Sequence, residues 1–227
     1  MKALLRRFWG YTLEILFPPI CLRCRSHLAL EEEKRDLLCE NCFNTIPIYK
    51  TVSFSPALTL AAVSSYDNEA IKELIHALKY KKFLAARSAI ARLIDKYLDF
   101  VDLKNIILGD AIIIPIPLHK KRLRERGFNQ AFEIANILGE KLGLVVNDKI
   151  LVKIKNTAHQ TSLKDKHERL SNVRNSFEIP SKGRVIGKTV ILVDDVYTSG
   201  ATMREAAKVL RRAGTRNIIG FVVAKTP

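Results

Sequence analysis

The sequence predicts an α/β fold, a parallel sheet flanked by helices, preceded by a small N-terminal module built on four cysteines. Three observations lead there. Short apolar runs of strand length alternate with segments of helical period, the pattern of a parallel sheet covered on both faces. One of those runs, 189–193, ends in two carboxylates and a Thr-Ser-Gly-Ala-Thr turn. All four cysteines fall between residues 21 and 42 as two C-x-x-C pairs. The division expected is 1–50 for a leading helix and the cysteine module, and 51–227 for the main domain.

Residues 1–17 carry Leu4, Leu5, Phe8, Trp9, Leu13 and Leu16 at helical spacing, with Lys2, Arg6 and Arg7 between them. Two arginines interrupt the apolar run, which falls short of the roughly 20 residues a membrane span needs. No small-residue cleavage site follows, so a signal peptide is not expected. An amphipathic basic helix docks on the protein's own body or rests on a membrane face. The chain is expected in the cytoplasm, with peripheral association at the inner face of the membrane as the variant of that reading.

Cys21, Cys24, Cys39 and Cys42 can close a tetrahedral Zn²⁺ site with no open position, which makes the metal structural. Two disulfides are the competing reading, disfavoured in a reducing compartment. Arg25 follows the first pair, where a knuckle often uses glycine to reach positive φ.

Residues 51–60 are polar and contain proline, and read as the join. A helix begins at Asp67 with Ile71, Leu74, Ile75 and Leu78 on one face, and a second spans 84–101. Strands are expected at 111–116, 144–146, 151–154, 189–193 and 217–223, and helices at 129–142 and 201–213. In such sheets ligands gather beyond the carboxyl ends of the strands, here the loops after Ile116 and Val193.

Small residues after 189–193 let several backbone amides converge at a helix N-terminus, a pocket suited to a phosphate monoester. The hydroxyls of Thr198, Ser199 and Thr202 add donors. Asp194 and Asp195 accept hydrogen bonds from the vicinal hydroxyls of a sugar, so a 5-phosphorylated ribose would span acids and turn together. The simpler alternative is that the acids cap the following helix.

Residues 190–202 resemble the phosphoribosyl-diphosphate signature of type I phosphoribosyltransferases, with Ser199 where threonine is more usual. The rest of the chain resembles the ComF (ComFC) family of competence-associated phosphoribosyltransferase-like proteins. That likeness rests on the cysteine pairs after Leu16-Phe17-Pro18-Pro19 and on Leu74-Ile75-His76-Ala77-Leu78-Lys79-Tyr80. It also rests on Pro115-Ile116-Pro117-Leu118-His119, on Arg126-Gly127-Phe128-Asn129-Gln130-Ala131, and on residues 156–163 with Arg169 and Asn172. The resemblance implies that Asp194, Asp195, Val196, Tyr197, Thr198, Ser199, Gly200, Ala201 and Thr202 bind the donor. It implies that Pro117, Leu118, His119 and Lys120 form a diphosphate loop, with Mg²⁺ bridging diphosphate and ribose oxygens. Residues 155–177 would close over the site, with His159 and Gln160 nearest the chemistry. His159 would join Asp194 and Asp195 as a catalytic residue, or else be an ordinary surface histidine.

The net charge of +15 and the pI near 9.8 favour polyanionic partners: nucleic acid, a membrane face or phosphorylated metabolites. Lys120, Lys121, Arg122, Arg124 and Arg126 concentrate that charge, as a ligand-binding loop or as the solvated start of a helix. Three functions are therefore carried forward: a phosphoribosyltransferase with unassigned acceptor, a single-stranded-DNA-binding protein of the DNA-uptake machinery, and an effector sensor on a transferase fold. The sequence assigns no oligomeric state.

Overall fold

Residues 18–56, 58–79, 83–156, 173–181 and 184–227 are described by the computed structural model. The helix expected over 1–17, and the loop members His159 and Gln160, lie outside them. The chain forms two units, one from residues up to Pro47 with Asn68–Ala89, the other from Ile48–Asp67 with Ile90–Pro227. It therefore passes between them more than once, where the sequence predicts a single join.

In the first unit, α1 (Glu31–Asp36) carries Glu31, Glu32 and Glu33 in its first turn and Lys34 and Arg35 in its last, charges that complement the helix dipole. It ends on Leu37 in the left-handed region at φ 57°. Helix α2 (Glu40–Asn44) begins immediately after Cys39. Helix α3 (Glu69–Lys79) starts two residues later than expected because Asn68 caps it, its Oδ1 accepting from the Ile71 amide at 3.2 Å. The face expected from periodicity, Ile71, Leu74, Ile75 and Leu78, is buried. Asn68 also donates from Nδ2 to the Thr45 carbonyl at 3.1 Å, tying the start of α3 to the cysteine segment.

The second unit is built on a four-stranded sheet in the order β1-β6-β5-β2, parallel throughout. Its strands are β1 (Thr59–Ser65), β2 (Ala111–Pro115), β5 (Thr189–Tyr197) and β6 (Asn217–Lys225). The central strands are apolar on both faces, as parallel strands covered on two sides must be. Helix α4 (Phe83–Phe100) enters this unit from Ile90 and sets Tyr97 edge-on against Phe221, centroids 6.1 Å apart. A short α5 (Leu103–Ile106) leads into β2, and α7 (Gln130–Leu142) packs against β2 and β5. Helix α8 (Ala201–Arg212) lies against β5 and β6. Gly220 permits that approach, since a Cβ there would strike the sulfur of Met203.

Four sequence expectations change. Strand β1 lies partly in the expected join and forms a sheet edge. Residues 144–146 pair with β2 only through the bridge of Val146 to Ile113. Residues 151–154 contribute β3 (Val152–Lys153), which pairs antiparallel with β4 (Phe177–Glu178) in a separate two-stranded sheet. The basic segment after β2 is a helix, α6 (Lys120–Arg126), from its first lysine.

Candidate functional site

Strand β2 ends beside β5 with Pro115 opposite Val193, one residue before the acids, and the Ile116 amide donates to the Val193 carbonyl at 2.8 Å. Strand β5 does not stop there. It continues along β6, pairing Asp194 with Val222 and Val196 with Ala224. The acids thus belong to a strand overshooting its neighbour, which holds their backbone rigidly at the carboxyl edge of the sheet. The Asp195 amide donates to Asp194 Oδ1 at 2.9 Å and the Val196 amide to Asp195 Oδ1 at 2.7 Å, which orients both carboxylates.

Neither acid stands at the N-cap position of α8. The N-cap of α8 is Gly200, at φ 69°, and the Ala201 amide donates to Ser199 Oγ at 3.4 Å. A Cβ on Gly200 would collide with the Tyr197 ring, so the turn requires glycine for space as well as for φ. Arg204, one turn into α8, donates to the Ser199 carbonyl at 2.6 Å and to the Tyr197 hydroxyl at 3.0 Å, bracing the turn from behind. Thr226 closes the other side, its hydroxyl donating to the Thr198 carbonyl at 3.3 Å. A small concavity opens between Asp194, Tyr197, Thr198 and the first residues of α8. Asp194, Val196, Tyr197, Thr198, Gly200, Ala201 and Thr202 line this concavity together with Met203.

Pro117, Leu118 and His119 leave the adjacent strand end half-buried, and the loop is pinned by Asn129 Nδ2 donating to the Ile116 carbonyl at 3.0 Å. His119 caps α6, its Nδ1 accepting from the Lys121 amide at 3.3 Å, and Lys120 is the first helical residue. Helix α6 has no buried residue: Lys120, Lys121 and Arg124 are exposed, Arg122 and Arg126 half-buried. Lys153 on β3, a residue that sequence reasoning does not single out, feels the charges of Arg122 and Asp194. Burial and then the Arg122 charge bring its ammonium down to about 8, while the Asp194 carboxylate opposes them. Nothing local marks Lys153 in the sequence, because only the pairing of β3 with β4 brings it near those charges. Arg204 is legible in principle as the residue four beyond Gly200.

In the first unit, the sulfurs of Cys21, Cys24, Cys39 and Cys42 lie within 4.8 Å of one another, and those of Cys24 and Cys39 are 3.7 Å apart. A tetrahedron with metal–sulfur bonds of about 2.3 Å has edges of about 3.8 Å, so the cluster has the dimensions to hold one metal ion. All four are free thiols. The Ser26 hydroxyl and amide, with a smaller contribution from Cys21, bring the Cys24 thiol down to about 6; burial first, then the other thiols, push Cys42 up to about 12. A cation among them offsets that cost by binding all four as thiolates. Arg25 takes the positive φ, 63°, that the sequence position called for.

The phosphoribosyl transferase domain family matches residues 124–227, which include the acids, the turn and β3. Sheet, turn and match together define a type I phosphoribosyltransferase-like fold. Competence protein F of Haemophilus influenzae is 30% identical over 204 residues, 88% of this chain and 82% of that protein. DNA utilization protein YhgH of Salmonella typhimurium is 27% identical over 228 residues, covering 92% and 98%. Competence protein ComFC of Bacillus subtilis is 37% identical over 109 residues, covering 45% and 39%. This chain belongs to the competence protein F (ComF) family.

Proposed function

We propose that this protein binds 5-phosphoribosyl diphosphate with Mg²⁺ and transfers its phosphoribosyl group to a nucleophilic acceptor, in the service of DNA uptake. The observation that carries the reading is that the N-cap position of α8 falls on Gly200, while Asp194 and Asp195 lie earlier, on strand β5. Paired carboxylates held on a rigid strand suit vicinal hydroxyls, and the turn 198–202 suits the 5-phosphate. The loop Pro117–His119 with Lys120 faces the diphosphate in this arrangement. Two adjacent carboxylates are an oxygen donor set fit for Mg²⁺, which when bound neutralises charge on the diphosphate. As the bond from C1 to the diphosphate oxygen breaks, the electron pair leaves with diphosphate, and the acceptor's lone pair forms the new bond to C1. Cationic side chains at that edge stabilise the departing charge.

The thiolate cluster holds structural Zn²⁺ in this reading, the metal that four sulfurs in a closed site select. Among the described residues no helix is long and apolar enough to cross a membrane. We place the protein in the cytoplasm, where free thiols persist, with its basic surface available to the inner membrane face.

A second reading has its own support. The exposed charge of α6 and the relatives' printed names, competence and DNA utilization, fit a protein that holds single-stranded DNA without turnover. The deciding experiment incubates the full chain with Mg²⁺, phosphoribosyl diphosphate and a mixture of metabolites and oligonucleotides, and follows diphosphate release. Release dependent on a mixture component supports transfer. Salt-sensitive DNA binding with no release favours the second reading.

A further inference from the structure

Three loops meet at the amino-terminal edge of the main sheet, opposite the edge that carries Asp194 and Asp195: residues 107–110 lead into β2, 184–188 into β5 and 213–216 into β6. They are bonded to one another. Thr189, at the start of β5, donates from its amide to the Asp110 carbonyl at 2.8 Å and from its hydroxyl to the Leu108 carbonyl at 2.6 Å. The Gly187 amide donates to the Gly214 carbonyl at 2.8 Å, and the Arg216 amide to the Lys188 carbonyl at 2.9 Å. Lys188 pairs with Asp110, and the guanidinium of Arg216 lies so close to Gly109 that a Cβ there would come within 2.8 Å of it.

Two of these loops turn on a left-handed glycine, Gly109 at φ 72° and Gly187 at φ 70°, and in each the residue just before it is a large aliphatic. Leu108 is 60% exposed and Ile186 64%. Turns favour small or polar residues, so two bare aliphatic tips on one edge ask for a partner. The charge around them is one-sided. With the last turn of α8, the loops hold Arg184, Lys188, Arg211, Arg212 and Arg216 against the single carboxylate of Asp110, and Arg184, Arg212 and Arg216 are exposed.

Aliphatic tips amid cations suit an anionic lipid interface, where the apolar ends reach the acyl boundary and the arginines meet headgroup phosphates. Single-stranded nucleic acid would call for aromatic rings on which bases stack, and the three loops contain none. A second copy of the chain would set like charge against like across a symmetric contact.

We propose that this amino-terminal edge docks on an anionic bilayer, with Leu108 and Ile186 entering the interface and Arg184, Arg212 and Arg216 on the headgroups. The inference rests on the placement at the inner membrane face given under Proposed function, and not on the transfer chemistry. Docked in this way, the protein turns its acid edge away from the lipid and keeps it open to soluble ligands.

Flotation of the full chain tests it, with vesicles of phosphatidylglycerol and phosphatidylcholine beside vesicles of phosphatidylcholine alone. The parent should float with the anionic vesicles and not with the neutral ones. Leu108→Ser combined with Ile186→Ser should weaken that binding by about tenfold or more, and the loss should persist at raised salt, because apolar burial is not screened. Arg212→Gln combined with Arg216→Gln should weaken it by about fivefold per charge at low salt and much less at high salt. A parent that floats with neither vesicle overturns the membrane placement itself. A parent that floats while both double variants match it overturns the assignment of this edge. The inference also fails if the serine pair weakens an oligonucleotide as much as it weakens vesicles, or lowers the mass of the free protein in light scattering, since the edge then serves nucleic acid or a second copy. The exposed arginine pair keeps the test intact should the serine pair fail to fold.

Discussion

Asp194 and Asp195 face a sharp test at the level of single residues, because asparagine matches aspartate in size and local hydrogen bonding but lacks its charge. Replacing both with Asn should leave the fold intact and weaken phosphoribosyl diphosphate by at least about tenfold. Inorganic phosphate, which we assign to the turn, should bind nearly as before, and calorimetry with each ligand reads the difference. Gly200 should tolerate nothing larger, since Gly200→Ala forces a Cβ into the Tyr197 ring at positive φ. A loss above about 1 kcal/mol is expected in urea unfolding, together with weaker phosphate binding. Lys153 makes a pH-dependent prediction. Its folded value near 8 lies below the ordinary 10.5, so between those values the unfolded chain binds more protons. The penalty is therefore full below about pH 8 and fades toward 10.5. Lys153→Met should raise the ligand-free melting temperature at about pH 7, and the gap should narrow across that window; a constant gap would contradict a titrating, desolvated ammonium.

Among the elements, α6 departs furthest from the tendency of its own residues. A run of lysines and arginines opposes the dipole at a helix start, and that conflict is why the sequence leaves both a loop and a helix open here. His119 supplies the missing N-cap and Gly127, at φ 82°, the stop. Changing Lys120, Lys121 and Arg124 to Gln should therefore not harm the helix. The same change should flatten the salt dependence of single-stranded DNA binding by roughly 0.7 in log–log slope for each phosphate no longer neutralised. An unchanged slope in filter binding from low to moderate salt would move the DNA surface elsewhere. Other elements are legible to different degrees. Helix α3 announces itself by Ile71, Leu74, Ile75 and Leu78, and the core of β5 by its unbroken apolar run. The extension of β5 through Asp194 and Asp195 is hidden, because aspartate is a poor strand former and only pairing with β6 carries it. Strand β1 is masked by small residues, Ala61, Ala62 and Ser64, directly after the polar join. The pairing of Lys153 with Phe177 depends on the meeting of two segments that carry no periodic signal.

For the whole molecule, metal analysis after purification under reducing conditions should return one zinc per chain. Stripping it with a chelator should lower the melting temperature, because binding free energy in such a cluster is folding free energy. Metal-free protein with two disulfides would sink the assignment. The candidate site divides along similar lines: acids, turn and cysteines are visible because each is a contiguous motif, whereas Lys153 and Arg204 matter through placement. Sheet order carries a further consequence, for synthesis on the ribosome. Strand β1 is among the first parts of the sheet translated, yet it pairs within the sheet only with β6, Thr59 opposite Ile219. Strand β5 likewise gains β6 only after α8 has been made. The nascent chain must carry an apolar β1, bonded on one edge only to residues 48–53, through nearly the whole of translation, and the acid edge acquires its supporting neighbour at the last step.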